Sequence, residues 1–142
     1  MKNKMLVGSL EKCDLPGLMI EGLHIRVDTG ATTSSLHVDN IEPFRKDGDE
    51  WISYDIHPDI HDVDKIVTRQ SKVVDIRVVK SSSGERQNRY VIETPMVLGG
   101  EQWDILITLT DRSSMNYLML LGRQAMNGHV IVDPDLEYQL NS

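Results

Sequence analysis

Short runs of alternating apolar and polar residues recur along the chain, each bounded by turn residues, and none keeps a 3.6-residue period over a helix-sized length. Leu23–Val27 predicts a short strand that runs into Asp28. In Trp51–His57, the residues Ile52, Tyr54 and Ile56 alternate with polar neighbours, as a half-buried strand requires, and Val74, Ile76 and Val78 alternate in the same way. Ser81-Ser82-Ser83-Gly84 reads as a hairpin tip, with Tyr90 and Ile92 on a return strand that ends before Pro95. Met96–Leu98, the turn Gly99-Gly100, and Trp103, Ile105, Ile107 and Leu109 predict a second hairpin. Tyr117–Leu121 is a continuous apolar run, the pattern of a strand buried on both faces. Gly122–Asn127 predicts one or two helical turns capped by Gly128, and Val130–Val132 a strand stopped at Asp133-Pro134. Asp39–Asp49 and His57–Gln70 lack a clear pattern and read as loops on the sheet framework. The expected class is mainly β, a closed or partly closed barrel with one short helix.

Composition narrows the functions. A chain of 142 residues suits a single domain, 1–142, with its core over about 20–138. With 39% hydrophobic and 26% charged residues the balance is that of an ordinary soluble protein. A formal charge of −7 repels phosphate backbones and argues against a nucleic-acid partner. No apolar run reaches bilayer length, so no membrane role is expected. Met1–Leu10 has lysines but no apolar core of a signal peptide. A cytoplasmic location is expected, or a periplasmic one if a leader has been removed. The lone Cys13 rules out an internal disulfide and a cysteine-based zinc cluster, and reads as a free thiol near a mobile end.

The candidate chemistry begins at Val27-Asp28-Thr29-Gly30-Ala31. A carboxylate at the mouth of a strand is easily placed, and Gly30 permits close backbone approach and unusual dihedrals. Thr29 and Ser34 offer hydroxyls to support the loop. Alone, the Asp-Thr-Gly triplet also suits an ordinary turn. Well downstream, Leu120-Leu121-Gly122-Arg123 ends the apolar run, and between the two lies the Gly-tipped hairpin Lys72–Thr94.

Taken in order, the Asp loop, the hairpin, the paired strands, Leu-Leu-Gly-Arg and the short helix resemble one lobe of a retropepsin. Further stretches extend the resemblance: Thr32-Thr33-Ser34-Ser35-Leu36-His37, Ile56-His57-Pro58, Leu109-Thr110-Asp111-Arg112-Ser113-Ser114-Met115, Met119–Ala125 and Val132-Asp133-Pro134. The chain is similar over about 23–138 to the bacterial and archaeal retropepsin-like proteins commonly called ATP-dependent zinc proteases. Some of these are encoded near the ligase that adds glutamates to a ribosomal protein. The resemblance implies an acid-protease fold, a single-lobe closed β-barrel. It also implies an aspartic peptidase with Asp28, Thr29 and Gly30 as the catalytic loop, the hairpin as a flap, and a peptide or protein substrate.

Amide hydrolysis by aspartates needs two carboxylates sharing one proton, because like charges about 3 Å apart cannot both ionise. With one Asp-Thr-Gly in the chain, the simplest arrangement is a twofold homodimer. Asp111 and Asp133 are other acids without that context. In retropepsins the arginine after Leu-Leu-Gly meets an acid just beyond Asp-Thr-Gly-Ala. That position is Thr32 here, so Arg123 must find another partner. Arg26 on the strand before Asp28 also points to an altered dimer.

No cofactor is expected: neither a P-loop nor His-Glu-x-x-His occurs. Zinc at a loop made by His57, His61, Asp59 and Asp62 is an alternative, with His37 as a further ligand or as a substrate contact beside the Asp28 loop. Arg86, Arg89, Arg112 and Arg123 are candidate substrate-binding residues, and with Arg77 they would favour acidic, glutamate-rich peptides. Two competing functions stand beside the peptidase: a non-catalytic binding or assembly module on the same fold, and a zinc-dependent hydrolase.

Overall fold

The strand that delivers Asp28 is flanked by partners whose own patterns fit it. A computed structural model describes residues 3–57, 64–80, 84–110 and 117–140. The first strands are β1 (Met5–Val7), β2 (Leu10–Leu15) and, after a 3-10 turn at Pro16–Leu18, β3 (Ile20–Val27). Alternation sends Leu23, Ile25 and Val27 of β3 into the core and His24 and Arg26 outward. β4 (Ser34–His37) follows the Asp28 loop, and β5 (Asp39–Lys46), β6 (Asp49–Ile56), β7 (Val67–Lys72) and β8 (Asp75–Lys80) come next. The long hairpin β9 (Arg86–Leu98) and β10 (Glu101–Thr110) turns on Gly99-Gly100, both at positive φ. Only glycine takes that two-residue turn without strain. The chain closes with β11 (Met119–Leu121), the single turn α1 (Arg123–Met126) and β12 (Val130–Val132).

Six strands close a barrel in the order β10-β4-β11-β3-β2-β9, with β9 returning to β10 and β8 appended to the outside of β9. β11 lies between β3, to which it is parallel, and β4, to which it is antiparallel. The apolar run thus sits in the middle of the sheet, with Met119 and Leu121 fully buried. This is the single-lobe closed β-barrel expected from the sequence.

Several expectations change. Asp39–Asp49 is not a loop: β5 and β6 pair through an Asp47-Gly48 turn at positive φ. With β7, which begins at Val67 within the segment read as the loop His57–Gln70 and runs on to Lys72, they form a separate three-stranded sheet. Its Ile52, Tyr54 and Ile56 join the core cluster. Residues 58–63 of that segment lie outside the described residues, as do Ser81–Ser83 of the predicted hairpin tip. β9 does not stop before Pro95. Pro95 stands opposite Asp104 of β10, while on the other edge of β9 pairing with β8 ends at Val91 and pairing with β2 falls at Val97, so Pro95 lies in a stretch that is unpaired on that edge. Val74, Ile76 and Val78 do alternate, but they are exposed, because β8 is the edge strand and that face has nothing against it among the described residues.

Cys13 is not near a loose end. It is buried in β2, and burial, then Asp14, raises its thiol to about 12. Two residues before it, Glu11 is fully buried. Its carboxylate accepts the backbone N–H groups of Gly8 at 2.8 Å, Gln139 at 2.8 Å and Leu140 at 3.1 Å. It thereby ties the tail after β12 to β2 and to the turn before it. No helix among the described residues is long and apolar enough to cross a membrane.

Candidate active site

β3 ends at Val27, and Asp28 is the first residue beyond it. Its backbone N–H donates to the Leu121 carbonyl at 3.0 Å, so the apolar run of β11 fixes where the acid emerges. The half-buried Asp28 carboxylate accepts the Gly30 N–H through Oδ1 at 2.9 Å, and the Ala31 N–H reaches the Asp28 carbonyl at 3.3 Å. Gly30 does not sit at positive φ. What it supplies is space: a Cβ there would lie 3.2 Å from Asp28 Oδ1.

The Leu-Leu-Gly-Arg element braces this loop from behind. A Cβ on Gly122 would meet the Thr33 carbonyl carbon at 2.6 Å and Ser34 N at 2.9 Å, so only glycine fits where the two backbones cross. Gly122 N–H donates to Ser34 Oγ at 2.9 Å. Arg123 N–H donates to Ala31 O at 2.8 Å, and Gln124 N–H to Thr32 O at 3.0 Å. The Arg123 guanidinium donates to Thr29 O at 3.0 Å and to Thr32 Oγ1 at 2.9 Å. Thr32, which replaces the acid found in retropepsins, is therefore itself the partner of Arg123 within one chain. Thr29 and Arg123 border a shallow depression with Lys4, Met126 and Val130. Of the two hydroxyls read as supports, Ser34 takes that part, whereas Thr29 is exposed and contributes its carbonyl.

The other candidates fall elsewhere. His37 ends β4, with Nε2 3.8 Å from Asp39 Oδ1, and His57 Nε2 lies 2.6 Å from Asp39 Oδ2. Both histidines thus gather at the junction of the barrel and the three-stranded sheet. Arg86 and Arg89 lie on β9 in the hairpin, Arg86 exposed and Arg89 half-buried, with Arg89 directly opposite Arg77. Arg112, Asp111, His61, Asp59 and Asp62 lie outside the described residues. Asp133 Oδ1 accepts Asp135 N–H at 3.0 Å in a turn. Among the described residues no group of three or more His, Cys, Asp or Glu is arranged to hold a metal ion.

Sequence reading missed the parts played by Arg77, Thr33 and Gln124. Arg77 Nη1 donates to Thr33 Oγ1 at 2.7 Å and lies 3.4 Å from Gln124 Oε1. The available signal was its place on the inward face of the hairpin, two residues from Asp75, but nothing in sequence spacing links positions 33, 77 and 124.

A six-stranded barrel whose Asp-Thr-Gly loop is crossed by a Leu-Leu-Gly-Arg strand defines one lobe of the retropepsin-like class. The chain belongs to the RimB-like family, whose profile, described as "Retropepsin-like aspartic endopeptidase RimB", matches residues 6–141. That description includes neither ATP nor zinc. Two relatives are each named "Probable alpha-L-glutamate ligase". The one from Parasynechococcus marenigrum is 49% identical over 140 residues, covering 99% of this chain and 30% of that protein. The one from Shewanella pealeana is 48% identical over 139 residues, covering 97% and 30%. The chain therefore spans about 30% of the length of these curated relatives. Among solved structures, the crystal structure of Lpg0085 from Legionella pneumophila, of unknown function, superposes with a TM-score of 0.80 at 26% identity, over 98% of this chain and 100% of that one.

Proposed function

We propose that the protein is an aspartic peptidase in which Asp28 from each of two copies shares one proton. One carboxylate activates a water while the other protonates the substrate carbonyl oxygen. The observation that carries this reading is the construction around Asp28. The acid stands at a strand end, its Oδ1 held by Gly30 N–H, with the loop locked by Gly122 and Arg123. A preorganised carboxylate is what such chemistry needs.

The second copy would meet the first through β1 and β12. In that parallel pair Leu6 stands beside Ile131, and both are exposed, at 47% and 55%. The opposite face of β12 lines the depression at Thr29. Because Arg123 is satisfied within its own chain, such a dimer does not need the arginine–acid contact across the interface.

The favoured substrates are glutamate-rich peptides. Arg86 and Arg89 give the hairpin two guanidinium groups beside the inward-held Arg77, in a chain of net charge −7. The relatives that contain a matching segment bear glutamate-ligase names. A zinc-dependent reaction has no support from the described side chains. A second reading, favoured by those longer relatives, is a non-catalytic module that binds such peptides.

The test is hydrolysis of an oligoglutamate-tailed peptide and of a neutral control, by wild type and Asp28→Asn, with and without chelator. The expected result is chelator-resistant cleavage of the acidic peptide, with an optimum below neutral pH, reduced about a thousandfold in Asp28→Asn. Cleavage surviving in Asp28→Asn would sink the mechanism. Tight binding without cleavage by either protein would favour the second reading.

A further inference from the structure

We infer that Arg77 is a positioning residue, which seats the β8–β9 hairpin on the loop that carries Asp28. The role in catalysis rests on the peptidase reading; the seating itself does not.

Among the described side chains of β8, neither apolar one is buried. Of its described side chains Ile76 and Val78 are exposed, at 43% and 61%, and Asp75 is exposed as well. Arg77, at 29%, is less exposed than any of these. Among the described side chains of β8 the best covered is therefore an arginine, and it is held by hydrogen bonds.

Those bonds land where three elements meet. Arg77 Nη1 donates to Thr33 Oγ1 at 2.7 Å and approaches Gln124 Oε1 at 3.4 Å, while Nε donates to Asp75 Oδ2 at 3.4 Å. Thr33 belongs to the Asp28 loop and Gln124 to α1, and the two elements are already joined by Gln124 N–H to Thr32 O. The next residue, Ser34, accepts Gly122 N–H. Arg77 also faces Arg89 across the ribbon, where like charges repel. Thr33 and Gln124 give its guanidinium neutral acceptors. The planar fork serves several acceptors in fixed directions, whereas a lysine ammonium acts as a single point charge.

On the peptidase reading, in which the β8–β9 hairpin serves as the flap, the height of its described strands over Asp28 would be set by this contact. The test compares wild type with Arg77→Ala and Arg77→Lys. Steady-state cleavage of an oligoglutamate-tailed peptide is measured beside amide hydrogen exchange by mass spectrometry. In Arg77→Ala, kcat should fall about a hundredfold, as misplacement by an ångström does, with KM shifted no more than about threefold. Arg77→Lys should recover about a tenth of the wild-type kcat, with one donor contact in place of the fork. Exchange should quicken together in residues 30–35 and 75–78 and stay unchanged in β3 and β10. Unchanged exchange in both segments, or faster exchange over the whole molecule, would overturn the inference. So would an unchanged kcat in an active enzyme. If wild type cleaves nothing, exchange alone decides. Paired loosening then upholds the seating role while the peptidase reading fails. Should Arg77→Ala not fold, Arg77→Lys carries the same comparison.

Discussion

Two glycines at the site do different work, and a methyl group on each should separate them. At Gly122 the added Cβ meets the backbone of Thr33 at 2.6 Å, and backbone in a closed barrel cannot yield. Gly122→Ala should cost about 2–3 kcal/mol, read as a lower urea midpoint. At Gly30 the nearest atom is Asp28 Oδ1 at 3.2 Å, the end of a side chain that can rotate. Gly30→Ala should leave the urea midpoint near wild type while lowering cleavage, because the carboxylate must turn from its bond to Gly30 N–H. Equal losses of stability in the two variants would show that both glycines serve packing alone. Ser34 belongs with Gly122: it is 1% exposed and holds the Gly122 N–H, so its hydroxyl is part of the crossing.

At the scale of elements, the terminal strands depend on a buried acid. Glu11 collects three backbone N–H groups, from the turn at Gly8 and from the tail at Gln139 and Leu140. Hydrogen bonds to a charged acceptor contribute about 1.5–3 kcal/mol each, and a buried N–H left without a partner costs about 1–3 kcal/mol. Glu11→Ala should therefore destabilise by about 3 kcal/mol or more, and proteolysis should begin in the last residues before the barrel opens. An unchanged urea midpoint and an intact tail would show that water replaces the carboxylate. The β5–β6 hairpin gives the opposite lesson. Its Asp47-Gly48 turn is a strong local signal, with both residues at positive φ as a two-residue hairpin requires. The flanking strand is polar and contains Pro43, so its alternation is hidden: β5 is an edge strand with little to bury.

For the whole molecule, the proposal of two carboxylates demands two chains. Sedimentation velocity should show a dimer at micromolar concentration. Leu6→Asp combined with Ile131→Asp should convert it to a monomer and abolish cleavage, with the barrel still folded by circular dichroism. A wild-type monomer that cleaves peptides would refute the shared dyad. Leu6 and Ile131, exposed at 47% and 55%, are the residues to change because they stand side by side on β1 and β12, where the proposal sets the seam.

Much of this was legible from residue order alone. Period-2 alternation in β3, β6 and β10, the glycine turn between β9 and β10, and the unbroken run at β11 each report burial locally, and local burial is what period encodes. The Asp28 loop and Leu121-Gly122 were recognisable because both are short and contiguous. Pairing across distance was not. Thr33, Arg77 and Gln124 converge only after the barrel closes, and Arg123 finds Thr29 and Thr32 only because β11 lies between β3 and β4. Asp39 brings His37 and His57 together only because a second sheet folds against the first. The sequence by itself determined the strands whose apolar pattern is complete locally, β3, β6, β10, β11 and β12, where the acid stands and the Gly99-Gly100 turn, since each depends on neighbours along the backbone. The tertiary structure alone decided which hydroxyls and arginines support the acid, since those contacts join residues brought close only by the closing of the sheet.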